Sequence, residues 1–151
     1  MTLRPLRAVL VERATPRLVE LLAAALDGSG PAIAPLDAGL PPARLAELIA
    51  DLGPGSVEDA EGVTSARSGS HEGVAEGTAV VVGTSGSTGA SKGVELSAAA
   101  LRHSARASLD RLGARPGERW LCCLPWNFCG SAVTCGRAWP RSRARGGFTG
   151  S

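Results

Sequence analysis

Apolar residues along the chain fall into short blocks, each separated from the next by glycine, proline or charge. Arg7–Val11 (RAVLV) predicts a short buried strand, bounded by Pro5 and by the charges after Val11. Thr15–Leu26 predicts a helix. Thr15 is placed to cap it, Pro16 suits its first position, and Leu18, Leu21, Leu22, Ala25 and Leu26 share one face. Asp27-Gly28-Ser29-Gly30 ends it. Ala32–Leu36 carries strand-like content, but Pro35 restricts it to an edge strand or a loop. Pro41–Leu52 predicts a second amphipathic helix, with Leu45, Leu48, Ile49 and Leu52 on its apolar side and Gly53-Pro54-Gly55 as its stop.

The period then disappears. Residues 53–77 are rich in Gly, Ser and acids and are expected to form a mobile linker, with His71 a solvated residue within it. Order returns at Ala79–Val82, a short β-rich run that enters a loop of hydroxyls and glycines. Ser97–Leu112 gives the clearest helix. Ser97 is its natural cap, and Ala98, Leu101, Ala105, Ser108, Leu109 and Leu112 form its stripe. Arg102, Arg106 and Arg111 lie off that stripe, His103 is expected on the surface, and Gly113 ends the helix. Arg119–Leu124 (RWLCCL) predicts a buried strand stopped by Pro125. From Trp126 onward no period is visible, and no acid after Glu118 balances Arg137, Arg141, Arg143 and Arg145. Residues 126–151 are expected to be a disordered basic tail. The order of elements predicts an α/β fold with a mixed sheet flanked by helices, and no internal repeat is present.

Composition narrows the function classes. Hydrophobic residues make up 44% but aromatics only 3%, so Ala, Val and Leu must build the core. A net charge of +2 gives no reason to expect a nucleic acid or a membrane surface as partner. No apolar run approaches the ~20 residues of a membrane span. The apolar core of the N-terminus is shorter than the about 7–15 residues of a signal peptide, so the expected location is cytoplasmic. Cysteines at 122, 123, 129 and 135 show no CxxC spacing and have no nearby histidine; they are expected to be reduced thiols, with no metal site.

Candidate chemistry concentrates in Gly83–Gly93. Thr84, Ser85, Ser87 and Thr88 each offer a hydroxyl donor to an anionic oxygen. Glycines allow several backbone N–H groups to converge on one anion. Of the sixteen Lys and Arg residues, Lys92 is the one lysine, and it sits here as a movable point charge. Spacing rejects two common phosphate loops. No glycine directly precedes Lys92, as GxxxxGK[ST] requires, and Gly86 has no glycine two residues before it, as GxGxxG requires. On composition alone a Gly/Ser hairpin loop and a phosphate-binding loop remain equal readings.

The stretch TSGSTGASKGV resembles the phosphate-binding signature of the adenylate-forming superfamily, which includes acyl-CoA synthetases, nonribosomal peptide adenylation domains and luciferase-like enzymes. That signature reads [ST]SG[ST]TG-x-[PS]KGV, and residues 84–94 match it throughout, with Ser91 where proline is commonest. The resemblance implies a loop around the β- and γ-phosphates of ATP, with Mg²⁺, while a carboxylate attacks the α-phosphate. It assigns Thr84, Ser85, Ser87, Thr88 and Lys92 to phosphate contact, and Gly86, Gly89 and Gly93 to the loop's conformation. KGVELSAAALRHSARASLDRLG and RWLCCLP, with the short stretch before the motif, are similar to the actinobacterial type of o-succinylbenzoate–CoA ligase, a menaquinone-pathway enzyme. That resemblance implies activation of a carboxylic acid as an acyl-adenylate and its transfer to CoA, with small molecules as partners.

This sequence departs from the family pattern at several places. Phe128 stands where the family has a histidine, and Gly130 falls one place early. No YGxTE-like or TGD segment occurs, and with Lys92 the one lysine, no second, catalytic lysine has a counterpart. Residues 1–125 are therefore expected to be the N-terminal, incomplete part of an AMP-binding domain, truncated by a frameshift or early stop and inactive by itself. The alternative expectation is a non-catalytic ATP- or phosphate-binding fragment, or a pseudogene product. The acyl substrate and the oligomeric state are not legible.

Overall fold

The structure is a computed structural model that describes residues 2–12, 15–59, 61–67, 73–84 and 92–115. In chain order its elements are β1 (Leu3–Arg4), β2 (Leu6–Val11), α1 (Pro16–Asp27), β3 (Ala32–Asp37), α2 (Pro42–Leu52), β4 (Ser56–Glu58), β5 (Thr64–Ala66), β6 (Val74–Ala75), β7 (Thr78–Thr84), β8 (Lys92–Ser97) and α3 (Ala98–Leu112). β1 and β6 form an antiparallel pair, and the other strands form a six-stranded sheet ordered β5-β4-β2-β3-β7-β8. The four central strands run parallel, and an antiparallel strand closes each edge. The fold is thus the mixed α/β type expected.

The helices carry the stops and starts written in the sequence. The Thr15 hydroxyl accepts the Leu18 N–H at 3.2 Å, and Ser97 accepts Ala100 N–H at 3.1 Å. Gly28, Gly53 and Gly113 end the three helices with φ of 84°, 56° and 61°, a left-handed backbone that costs glycine little. The crossovers set the layers. The connection β2–α1–β3 steps one way across the sheet, whereas β3–α2–β4 steps back over β2. With right-handed crossovers, that reversal puts α1 and α2 on opposite faces. Packing agrees: Leu18, Leu21, Leu22 and Ala25 of α1 and Leu101 of α3 meet Val9, Val11, Ile33 and Val80, while Leu52 of α2 meets the layer of Leu6, Ala32, Ala34 and Val81.

Two expectations are corrected. Pro35 does not confine Ala32–Asp37 to an edge; β3 lies between β2 and β7. The amides of Ala32 and Ala38 donate to Pro5 and Val11, toward β2, so by alternation the even positions face β2 and Pro35 faces β7. On that side the register consists of the one pair Ile33↔Val80, and Pro35, two residues on, supplies no donor to extend it. The second correction concerns residues 53–77, which carry three short strands where a linker is expected. β4 pairs in parallel with β2 over Arg7↔Ser56, Ala8↔Val57 and Val9↔Glu58, and β5 extends the sheet beyond it. A three-residue strand is too short to show a period; its partner strands define it.

The turn at Gly73 is fixed by close approach. Its φ is 69°, and a Cβ there would stand 2.6 Å from the Arg4 carbonyl oxygen. Arg4 itself is buried among carbonyls. It donates to Gly30 O, to Thr78 O at 2.7 Å and to Ala24 O near the end of α1 at 3.5 Å, which ties that helix end to β7. His103 and the three α3 arginines are exposed, as expected. His71, the RWLCCL strand, the four cysteines and residues 126–151 lie outside the described residues.

Candidate functional site

β7 leads from the core to solvent within seven residues. Thr78, Ala79, Val80 and Val81 are buried, Val82 and Gly83 are half-buried, and Thr84 is exposed. β8 returns antiparallel, with Lys92, Gly93, Val94 and Glu95 exposed. The register pairs Thr84 with Lys92 and Gly83 with Gly93 at the open end, and Val82 with Val94 below. At its base the hairpin is braced by Glu95, whose carboxylate accepts the Thr78 hydroxyl and the Ala75 N–H. Ala98 N–H donates to Gly77 O at 3.0 Å, so α3 starts against the same turn.

Of the eight residues predicted to contact or shape a phosphate site, three are described. Thr84, Lys92 and Gly93 come together at the neck of the hairpin, while Ser85, Gly86, Ser87, Thr88 and Gly89 lie outside the described residues. The Thr84 hydroxyl donates to the Lys92 carbonyl at 3.1 Å. Its proton therefore closes the neck, and only its oxygen lone pairs remain for another partner. The Lys92 side chain stands exposed, and no carboxylate among the described residues pairs with it. Gly93 is not in the left-handed region, so its absence of a side chain serves space rather than backbone conformation. The neck is thus closed by one hydroxyl, with an exposed ammonium at its rim. No group of three or more His, Cys, Asp or Glu among the described residues is arranged to hold a metal.

A second polar centre escaped sequence reasoning. The Glu58 side chain is 1% exposed and lies at the carboxyl end of β4, beside that of β2, where the strand order reverses. It accepts Arg17 Nε at 2.8 Å, Arg7 Nη1 at 3.0 Å and the Thr64 hydroxyl at 3.3 Å. Burial by itself would raise the Glu58 carboxyl, but hydrogen bonds and charge from Arg17 and Arg7 outweigh it and hold the carboxyl below its ordinary value. A cavity of about 200 Å³ opens beside it, lined in part by Val9, Val11, Glu12, Arg17 and Asp59. Because Glu58 is already matched by two guanidiniums, this centre reads as a structural clasp between β2, β4 and the start of α1. Its two arginine partners lie 51 and 41 residues away in sequence, so no local signal marks the charge pairing.

The geometry so described is an open α/β sheet with the β7–β8 hairpin at one edge, Thr84 and Lys92 at its open end, and comparison with known proteins agrees with the fold. The model of the AMP-binding enzyme family matches residues 54–140, and the chain belongs to that family. Among individual relatives, it is 48% identical over 62 residues to a protein of Mycobacterium tuberculosis (strain CDC 1551 / Oshkosh) named "Probable 2-succinylbenzoate--CoA ligase". That match covers 41% of this chain and 16% of the relative, and the protein of the same name in strain ATCC 25618 / H37Rv matches equally. Among solved structures, ATP-bound MatB from Rhodopseudomonas palustris superposes with a TM-score of 0.63 at 21% identity, over 91% of this chain and 34% of its own. The chain thus spans a minor part of the length of each relative. No helix among the described residues is long and apolar enough to cross a membrane.

Proposed function

We propose that residues 84–93 bind the β- and γ-phosphates of ATP, with Mg²⁺, as part of an acid–thiol ligase. Lys92 supplies the cation, Ser85, Ser87 and Thr88 supply hydroxyl donors, and Gly86 and Gly89 let backbone N–H groups converge. Thr84 contributes by closing the neck. The observation that carries this reading is the match of residues 84–94 to the adenylation signature on a hairpin whose rim presents an exposed Lys92. The reaction of the whole ligase is activation of a carboxylic acid as an acyl-adenylate with release of pyrophosphate, then transfer to CoA. The name of the M. tuberculosis relatives supports o-succinylbenzoate as the acid, and with it a role in menaquinone synthesis in the cytoplasm.

For residues 1–151 the proposed competence is the phosphate grip. Orienting the acid against the α-phosphate accounts for effective molarities on the order of 10⁵–10⁸ M, and a phosphate loop supplies none of that orientation. Limited proteolysis tests the grip: millimolar ATP with Mg²⁺ should protect residues 83–93, and Lys92→Ala should abolish the protection. Equal cleavage with and without ATP would remove the reading. The substrate is tested by pyrophosphate release from the whole ligase with o-succinylbenzoate against other carboxylic acids.

A further inference from the structure

The glycine pair at the neck of the hairpin has a neighbour on the other layer. A Cβ on Gly93 would stand 2.9 Å from Leu52 Cδ2 and 2.9 Å from Val81 Cγ1, closer than side-chain carbons approach. Opposite it, a Cβ on Gly83 would stand 3.7 Å from Leu48 Cδ2. Gly83 and Gly93 are directly paired, and Leu48 and Leu52, four residues apart, share one face of α2. The helix therefore rests a two-leucine ridge in a saddle made by two glycines, one residue below Thr84 and Lys92.

Such a neck needs support from outside. Glycine has the freest backbone and contributes no cross-strand side-chain pair, so two glycines face to face make the softest rung of a hairpin. The leucines supply the missing packing. Gly93 is in turn dictated by them, because any side chain there would displace Leu52 or Val81. We infer that Leu52 and Leu48 are positioning residues for the phosphate loop: they seat α2 on the Gly83–Gly93 pair and fix the direction in which Thr84 and Lys92 leave the sheet. This rests on the assignment of residues 84–93 to ATP phosphates.

The test compares Leu52→Ala, Leu48→Ala, Leu52→Met and Leu45→Ala with the unmodified chain. Leu45 is half-buried on the same helix but lies beyond 4 Å of either glycine's Cβ position, so it controls for loss of helix packing. One measurement is amide hydrogen exchange at Gly93 and Val94 without nucleotide. The other is the concentration of ATP, with Mg²⁺, that half-protects residues 83–93 from protease. Leu52→Ala and Leu48→Ala should speed neck exchange and raise the ATP requirement about tenfold. Leu52→Met should restore both, and Leu45→Ala should lower the melting temperature while changing neither. If neck exchange in Leu52→Ala only equals that in Leu45→Ala, the inference is overturned, whatever ATP does. If neck exchange rises in Leu52→Ala alone but the unmodified chain gains no protection from ATP, the positioning role stands and the phosphate assignment falls.

Discussion

On one face of the sheet α1 lays four buried side chains, Leu18, Leu21, Leu22 and Ala25, into a layer with Val9, Val11, Ile33 and Val80. On the other face α2 buries none of its residues fully, although its apolar stripe is as regular. The layer beneath α2 is also thinner, with Ala32 and Ala34 where α1 meets Ile33 and valines. The contrast separates two tasks that amphipathic helices perform. α1 closes a core, so its side chains are set by volume. α2 covers little, but it touches the one hairpin that carries the candidate chemistry, so what matters is where two of its leucines fall.

That contrast can be broken from either side. Its strongest break is Leu18→Ala, which opens a cavity under the closed face and should cost about 4 kcal/mol, read as a shift in the urea midpoint. Glu58→Gln comes next. It leaves Arg7 and Arg17 without their shared carboxylate and should cost about 3 kcal/mol at neutral pH, the low end for a buried pair because both arginines are partly exposed. This effect depends on pH with a defined sign. The Glu58 carboxyl is held below its ordinary value of 4.5 in the folded state. Its contribution is therefore complete above that value and is lost as pH falls through the lower folded value. Urea midpoints of the two chains should converge in strong acid and separate above pH ~5. On the open face, Leu45→Ala should cost only about 1 kcal/mol, since its side chain is half exposed in the folded protein. Smallest on stability is Lys92→Ala, expected within about 0.5 kcal/mol of the unmodified chain while removing ATP protection. A Leu45→Ala cost equal to that of Leu18→Ala would erase the distinction between the faces.

The same two faces show what the sequence could and could not announce. α1, α2 and α3 were legible because their punctuation is local: Thr15 with Pro16, Ser97, and the terminal glycines at 28, 53 and 113 act within a turn of the residues they cap. β3 was misjudged because the cost of Pro35 depends on which neighbour its missing amide would face, and that is decided by pairing across the sheet. β4 and the burial of Glu58 were invisible for a related reason, since a three-residue strand and a clasp of distant arginines exist only once β2 and α1 are in place. At the candidate site the motif named the loop residues. It did not reveal that Thr84 spends its hydroxyl on Lys92, or that Gly93 is empty because Leu52 is near. Those facts belong to a register and to a helix forty residues upstream.

Pro35 has one more consequence. Because its ring stands where an amide would reach toward β7, the sheet is stitched unevenly: β2 and β3 share six registered pairs, whereas β3 and β7 share one. The β7–β8 hairpin is consequently moored to the parallel strands mainly by Ile33 and Val80 against their greasy neighbours, with little backbone stitching. At this join the apolar contacts of Ile33 and Val80 and the Arg4 hydrogen bond to Thr78 O do more of the holding than a backbone ladder does. The seam beside the β7–β8 hairpin is thus held by side chains where the β2–β3 seam is held by backbone.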